Sequence, residues 1–175
     1  MATESTLKEG RRAPGSEWLK NHPRWLETAY KFTEKLFLGM YPVLGRVGFF
    51  KRLMVPAESL TKGYLFNCQM CGQCVLHSTG MTCPMTCPKN LRNGPCGGVR
   101  ANGNCEVIPD LPCVWVQAWE RSQQMTLYSD EMKIIQPPVN RALHNTSSWV
   151  NMAEGVDTVL PVGWQQASGN KEASE

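Results

Sequence analysis

The sequence predicts a small α-plus-irregular domain with amphipathic N-terminal helices, a loop-rich cysteine segment, a short helix and an extended C-terminal tail. Two observations carry this prediction. Apolar residues recur at helical spacing before residue 66, and eight cysteines, six glycines and five prolines crowd into residues 68–113. A segment with so few large apolar residues cannot offset a backbone entropy of about 1–2 kcal/mol per residue. We therefore expect metal clusters to organise it, because metal–thiolate binding then supplies folding free energy.

The bulk composition is that of one ordinary domain with tails. The chain has 175 residues, of which 42% are hydrophobic, so a core is possible. The net charge is only +3, from 18 Lys and Arg against 15 Asp and Glu, which is too small to indicate nucleic-acid binding. The N-terminal residues show no secretory signal, and no apolar run is long enough to span a membrane. We therefore expect a cytoplasmic protein without a transmembrane segment.

The N-terminal third predicts a mobile polar arm, residues 1–17, and an amphipathic helical segment, residues 18–66. Apolar residues recur there at steps of three and four, the helical period: Leu26, Ala29, Tyr30, Leu36, Phe37 and Met40. Pro23 suits the start of a helix. Pro42 is expected to kink or end this first helix, and Pro56 to end a second one, because proline lacks the N–H that continues the ladder.

The second helical stretch, residues 43–54, carries three basic residues beside its apolar positions. We expect it to pack against the rest of the chain or against a partner protein. A basic amphipathic helix lying on a membrane surface is the alternative. Acidic residues in the preceding helix weigh against that alternative.

The residues after the last cysteine predict a short helix and then a tail. One helical face follows directly: Val114, Trp115, Ala118 and Trp119. We place the cysteine-rich, cluster-binding domain at residues 67–125. Residues 126–175 predict an extended, partner-wrapping tail, because Pro137-Pro138 disfavours regular structure and the later apolar residues show no clear period. A tail lying on its own domain is an equal alternative, and residues 167–175 are expected to be disordered.

The cysteine spacing favours iron–sulfur clusters. The eight cysteines are Cys68, Cys71, Cys74, Cys83, Cys87, Cys96, Cys105 and Cys113. Disulfides are disfavoured, because they are rare in the cytosol. The initial C-x2-C-x2-C run lets one tight loop hold three corners of a cubane, whereas zinc sites usually draw on paired ligands. Eight cysteines form two sets of four, so we predict two [4Fe–4S] clusters with all eight as ligands. One cluster plus a zinc, or zinc alone, are the alternatives.

The spacing leaves open which cysteine completes the triplet. Proximity allows Cys83 or Cys87, and the arrangement of two-cluster ferredoxins allows Cys113. His77 is expected beside a site or at the surface, because the thiols already supply enough ligands. No nucleophile–base pair, phosphate-binding loop or carboxylate pair is recognisable. The sequence therefore predicts no catalytic residue and favours an electron-carrying or structural accessory subunit.

Residues 67–121 contain four specific motifs, which are the cysteine triplet in "CQMCGQC", then "STGMTCPMTCPK", "LRNGPCGG" and the closing "CVWV". Together these motifs resemble the small cysteine-rich module associated with methylenetetrahydrofolate reductase. The resemblance covers about a third of the chain closely, and all eight cysteines match the pattern of that module.

The resemblance implies a function beyond what the residues alone indicate. The partner would be a catalytic subunit with a TIM barrel and a flavin, FMN or FAD, that interconverts 5,10-methylene- and 5-methyl-tetrahydrofolate. The clusters would pass electrons to or from that flavin, with room for a further electron-donor subunit. The barrel itself must lie on another polypeptide, because eight β/α units take about 250 residues and this chain has 175.

Overall fold

The computed structural model describes residues 17–45 and 48–160, so the predicted arm up to residue 16 and the end of the tail lie outside the described residues. Its helices are α1 (Glu17–Lys20), α2 (Pro23–Leu44), α3 (Gly48–Phe66), α4 (Val114–Ser122) and α5 (Ser148–Glu154). Short 3-10 turns lie at His77–Thr79, Pro84–Thr86, Ser129–Lys133 and Arg141–Leu143. Within the described ranges, β-structure is limited to two isolated bridges, Val99 with Cys105 and Asn104 with Pro112. The α-plus-irregular class is confirmed.

The two long helices continue past prolines that were expected to kink or end them. Helix α2 begins at Pro23, as expected, but it continues past Pro42 to Leu44. Pro42 stands in the last turn, where its missing N–H removes a single bond near the helix end. Helix α3 also passes through Pro56 and ends only at Phe66, so the expected end at Pro56 is wrong. Pro56 is solvent-exposed, and water can satisfy the carbonyl that loses its partner.

The core consists of three buried clusters along the chain, and cysteines belong to two of them. The first contains Leu26, Cys71, Leu76, Met81, Cys83, Met85 and Met125. The second contains Cys87, Val114, Trp115 and Ala118. The third contains Phe37, Trp149 and Val150. Helix α4 forms where it was predicted and buries three of its four predicted apolar positions, whereas Trp119 stays 52% exposed.

The segment predicted to be an extended tail contains the short helix α5. The Ser147 hydroxyl accepts a hydrogen bond from the Val150 N–H at 3.3 Å, and Gly155 ends the helix with a φ of +67°. The Trp149 ring packs on α2, with its centroid 5.7 Å from that of Phe37 and 5.2 Å from that of Tyr30. This part of the tail therefore covers its own domain. Wrapping of a partner stays a prediction.

A buried carboxylate joins α2 to the turn after α4. Glu27 is 1% exposed. Its Oε1 accepts hydrogen bonds from the backbone N–H and the hydroxyl of Thr126, both at 2.9 Å, and its Oε2 accepts from the Leu127 N–H at 3.0 Å. Burial of a carboxylate is tolerated when its lone pairs are satisfied in this way.

No helix in the described ranges combines the length and apolar character that crossing a bilayer requires.

We expect Glu27→Ala to lower the free energy of unfolding by about 2–4 kcal/mol, because two backbone N–H groups lose a charged acceptor inside the protein. Glu120→Ala on the exposed side of α4 is the matched control and should change stability by less than about 0.5 kcal/mol. Urea unfolding followed by tryptophan fluorescence measures both. Equal effects of the two substitutions would contradict the role assigned to Glu27.

Candidate functional site

The structure divides the eight cysteines into two groups of four, each lining its own cavity. The first thiol set is Cys68, Cys71, Cys74 and Cys83, around a cavity of about 20 Å³. The second thiol set is Cys87, Cys96, Cys105 and Cys113, around a cavity of about 10 Å³. Of the residues that could complete the initial triplet, Cys83 lies with it, whereas Cys87 and Cys113 lie in the other set. All eight cysteines are free thiols.

The first three thiols of the first set come from a tight loop that follows α3. Asn67 and Met70 adopt positive φ values of 52° and 49°, and Gly72 adopts 74°. Such left-handed backbone turns the chain sharply, which lets cysteines two residues apart face one cavity. The fourth thiol arrives through the turn that ends at Thr82. The Thr79 hydroxyl ties this turn together, with the Val75 and Thr82 carbonyls at 2.8 and 2.7 Å.

The segment that includes α5 holds this loop from outside. The Asn151 side-chain amide donates to the Gly72 carbonyl at 2.8 Å, and the Asn145 N–H donates to the Met70 carbonyl at 2.8 Å. Both polar atoms of the Gln73 side-chain amide are hydrogen-bonded. Its Oε1 accepts from the Asn140 N–H at 2.7 Å, and its Nε2 donates to the Asp157 carbonyl at 2.6 Å. We name these four contacts the C-terminal latch. The latch fixes the conformation of the triplet loop.

A buried ion pair lies between this segment and the first thiol set. The Lys62 ammonium donates to Glu58 Oε1 at 2.8 Å and to the Ser148 hydroxyl at 2.9 Å, and it lies 4.7 Å from the Trp149 ring centroid. The Ser147 hydroxyl donates to the other oxygen of Glu58 at 2.6 Å. Both charges are therefore paired and hydrogen-bonded, the condition under which a buried pair is tolerated.

Burial shifts the ionisation of the first thiol set. It raises the pKa of Cys68 to about 12, with the nearby Cys74 adding to the effect. Burial also raises the pKa of Cys71, although the Gln73 backbone acts in the opposite direction. The pKa of Cys83 lies well above its usual value, because burial and the neighbouring thiols both disfavour a charge. Without bound metal these three groups are neutral thiols at pH 7.

The second thiol set is built from loops that two β-bridges and one aromatic ring hold together. The Cys105 N–H donates to the Leu111 carbonyl at 2.8 Å, and the Cys113 N–H donates to the Gly103 carbonyl at 2.9 Å. The indole of Trp115, which is 5% exposed, lines one side of the cavity. These contacts bring together cysteines that are widely spaced in the sequence.

A lysine and a glutamate lie at the outer side of the second set. The Lys89 ammonium is 3.5 Å from Cys96 Sγ and is hydrogen-bonded to Glu106. Both side chains are partly exposed to solvent. The charge beside this set is therefore compensated and screened by water.

The two thiol sets are separated by a single 3-10 turn, Pro84–Thr86. Cys83 precedes the turn and belongs to the first set, and Cys87 follows it and belongs to the second. The Thr86 hydroxyl donates to the Cys83 carbonyl at 2.7 Å, which adds a side-chain bond to the turn. Three residues at about 2.0 Å rise each keep the two sites adjacent.

His77 lines neither thiol cavity. Its Nε2 is 3.2 Å from Glu131 Oε2, and its ring lies against Tyr30 and Tyr128, with centroids 5.8 and 5.6 Å away. Across the described residues, no three His, Cys, Asp or Glu side chains are gathered closely enough to hold a single metal ion. The four thiols of each set line one cavity.

Sequence reasoning did not identify the polar residues around the first set. The i, i+4 spacing of Glu58 and Lys62 is a signal for an ion pair, but nothing in the sequence places that pair beside cysteines. Arg92 and Gln73 lie within the quoted motifs "LRNGPCGG" and "CQMCGQC", but neither these motifs nor the sequence around Asn151 indicates the contacts of these side chains. Their contacts depend on segments of the chain that are 19 and 79 residues apart.

Fold and site together define a small helical, cysteine-rich module with two four-thiol sites. The family model described as "Methylene-tetrahydrofolate reductase C terminal" matches residues 49–142. The chain belongs to this family, and the match spans both thiol sets and helix α4. No curated protein and no solved structure matches the chain.

Gly72→Ala should lower the free energy of unfolding by about 2 kcal/mol or more, because the residue is left-handed and an added Cβ would meet the Leu143 carbonyl and the Thr146 hydroxyl. Gly39→Ala is the matched control, because nothing lies within 4 Å of its added Cβ. It should leave α2 unchanged or stabilise it by up to about 1 kcal/mol. Thermal and urea unfolding measure both, and a neutral Gly72→Ala would show that the loop is not held as described.

Proposed function

We propose that this chain is an accessory electron-transfer subunit of a methylenetetrahydrofolate reductase-type complex. Each thiol set would hold one [4Fe–4S] cluster, and the clusters would pass electrons to or from an FMN or FAD on the catalytic subunit. The observation that carries this proposal is the division of eight thiols into two groups of four around separate cavities, within the residues that match the reductase-associated family.

The two sets of four thiols match the ligand chemistry of [4Fe–4S] clusters. Four cysteine thiolates are the usual ligands of a [4Fe–4S] cluster, and each binds a different iron, so they stand around a space. The cavities of about 20 and 10 Å³ are close to the roughly 10–15 Å³ that one water needs, so the loops that carry the thiols would have to move apart to admit a core of four irons and four sulfides. When bound, such clusters supply one-electron redox chemistry.

The chain's own residues would bind the clusters, shield them from water and hold the loops that carry the thiols in place. The thiols give up their protons to become ligands, because only thiolates bind metal. Met81 and Met85 are 1% and 4% exposed beside the first set, and Trp115 covers the second. These apolar groups exclude water, which governs the reduction potential of a buried cluster. The C-terminal latch keeps the triplet loop in the conformation that directs three thiols to one cavity.

A structural zinc scaffold is the alternative function. Four thiolates also make a tetrahedral zinc site, which contributes folding free energy and has no redox chemistry. The family match favours neither metal. The reductase partner and the tetrahydrofolate chemistry would be the same, but electrons would not pass through this chain.

Metal and sulfide analysis of the anaerobically purified complex separates the two functions. We expect about eight irons and eight sulfides per chain, from two clusters of four each, with an EPR signal on reduction. Cys83→Ser should remove the signal of the first cluster and keep the second, and Cys87→Ser should do the reverse. A colourless protein with about two zinc ions per chain would overturn the electron-transfer function. Loss of both signals in each variant would overturn the division into two sets.

Proton release on metal binding tests the raised pKa values of the first set. At pH 9 an ordinary thiol with a pKa of 9.0 is half ionised, whereas Cys68, with a pKa of about 12, is protonated. Cd²⁺ binding to metal-free protein at pH 9 should therefore release about one proton more from the wild type than from Cys68→Ser. Release is measured with a pH indicator in weak buffer. A difference of about half a proton would show that burial does not raise the pKa of Cys68.

A further inference from the structure

Arg92 is a buried cation beside the first thiol set. It is 8% exposed and lines the same cavity as the four thiols. One guanidinium nitrogen, Nη1, donates to the Gln73 carbonyl at 3.0 Å. Its Nε is buried and has no hydrogen-bond partner. Within the described ranges, every ion pair closer than 4.0 Å involves other residues. No carboxylate of the described residues therefore lies within ion-pair distance of this guanidinium.

Two further cations near the thiols, Lys62 and Lys89, are balanced, and this contrast makes Arg92 informative. Lys62 is buried but bonds to Glu58 at 2.8 Å, and Lys89 is partly exposed and bonds to Glu106. A guanidinium cannot lose its proton in a protein, so burial cannot neutralise it. A buried charge without a counter-charge costs several kcal/mol. Some other group near Arg92 must supply negative charge in the functional state.

The first thiol set is the group placed to do so. Cys71 Sγ and Arg92 Nη1 both contact the Gln73 carbonyl, at 3.5 and 3.0 Å. The Arg92 guanidinium also acts directly on the Cys71 thiol, where its charge opposes the burial that raises the pKa of Cys71. Four thiolates around a [4Fe–4S]²⁺ core carry a net charge of −2, and reduction by one electron makes it −3. A fixed positive charge at the cavity wall therefore stabilises the reduced form more than the oxidised form.

We propose that Arg92 is a positioning residue that balances the charge of the first cluster and raises its reduction potential. This inference rests on the proposed function. The cluster accepts one electron from the redox partner, no proton moves, and the guanidinium stays charged throughout. The second cluster lacks such a group, because Glu106 offsets Lys89. The two clusters therefore differ in potential, and the first is the stronger electron acceptor.

Anaerobic redox titration of the full complex, followed by EPR, tests this assignment. Arg92→Gln should lower the midpoint potential of one couple by at least about 59 mV, which is a tenfold change in a one-electron equilibrium. The affected couple should be the one that is missing in Cys83→Ser. Arg92→Lys keeps the positive charge, so its midpoint potential should stay close to that of the wild type. Arg52→Gln is the matched control, because it removes an exposed arginine that lines neither thiol cavity, and it should shift either couple by less than a third of that amount.

The outcomes separate this inference from the proposed function. Unchanged potentials in Arg92→Gln, or equal shifts in Arg92→Gln and Arg92→Lys, would overturn the role of the charge. If Arg92→Gln loses the first cluster, the Arg92→Lys variant decides. If Arg92→Lys retains the cluster with a midpoint potential near that of the wild type, the role is supported. A midpoint potential more than about 59 mV away from the wild-type value in Arg92→Lys counts against the role. A wild type that contains zinc and no EPR signal defeats the proposed function before any variant is compared.

Discussion

The packing of cysteine thiols into the hydrophobic core is the constraint on which the rest of the structure depends. Cys71, Cys83 and Cys87 are each at most 8% exposed and belong to the same clusters as the buried methionines and Trp115. In most domains such positions hold large apolar side chains that contribute burial free energy. Here the same atoms serve as core and as the proposed ligands. Under the proposed function, stability and metal binding would therefore be coupled in residues 67–113.

The surroundings of the two thiol sets differ in kind. Around the first set, charges are buried and held in defined contacts, as Lys62 with Glu58 and Arg92 with the Gln73 carbonyl show. Around the second set, the nearest charges are partly exposed and screened by water. Electrostatic effects are stronger where water is excluded. Two sets of four thiols can therefore have different chemical properties because of the protein around them.

The sequence predicted the features that depend on local patterns and on residue chemistry. Helix α4 and the start of α2 followed from periodicity and from Pro23, and membership of the reductase-associated family followed from the motifs around the cysteines. The end of α3 did not, because Pro56 is exposed and water can satisfy the carbonyl that loses its partner, so the helix continues to Phe66. Helix α5 was missed, although Ser147 and Gly155 are good capping residues. Its apolar residues are too few to show a period over seven positions.

The sequence also could not predict which cysteines belong to which thiol set, for a different reason. Cys83 and Cys87 are only four residues apart, and both are followed by proline, so no local signal separates them. The turn between them directs one to each cavity. The role of Arg92 was also unreadable, because an unpaired buried charge is visible only once the positions of every nearby carboxylate are known.

The C-terminal latch has a consequence for biogenesis. A polypeptide leaves the ribosome from its N-terminus, so residues 87–122, which form the second set and α4, emerge before the latch residues 140–157. The second site can therefore close while synthesis continues, whereas the triplet loop gains its last hydrogen bonds only after Asp157 has emerged. The two sites would mature in the reverse of their order in the chain, with the first one open to a metal donor for longer.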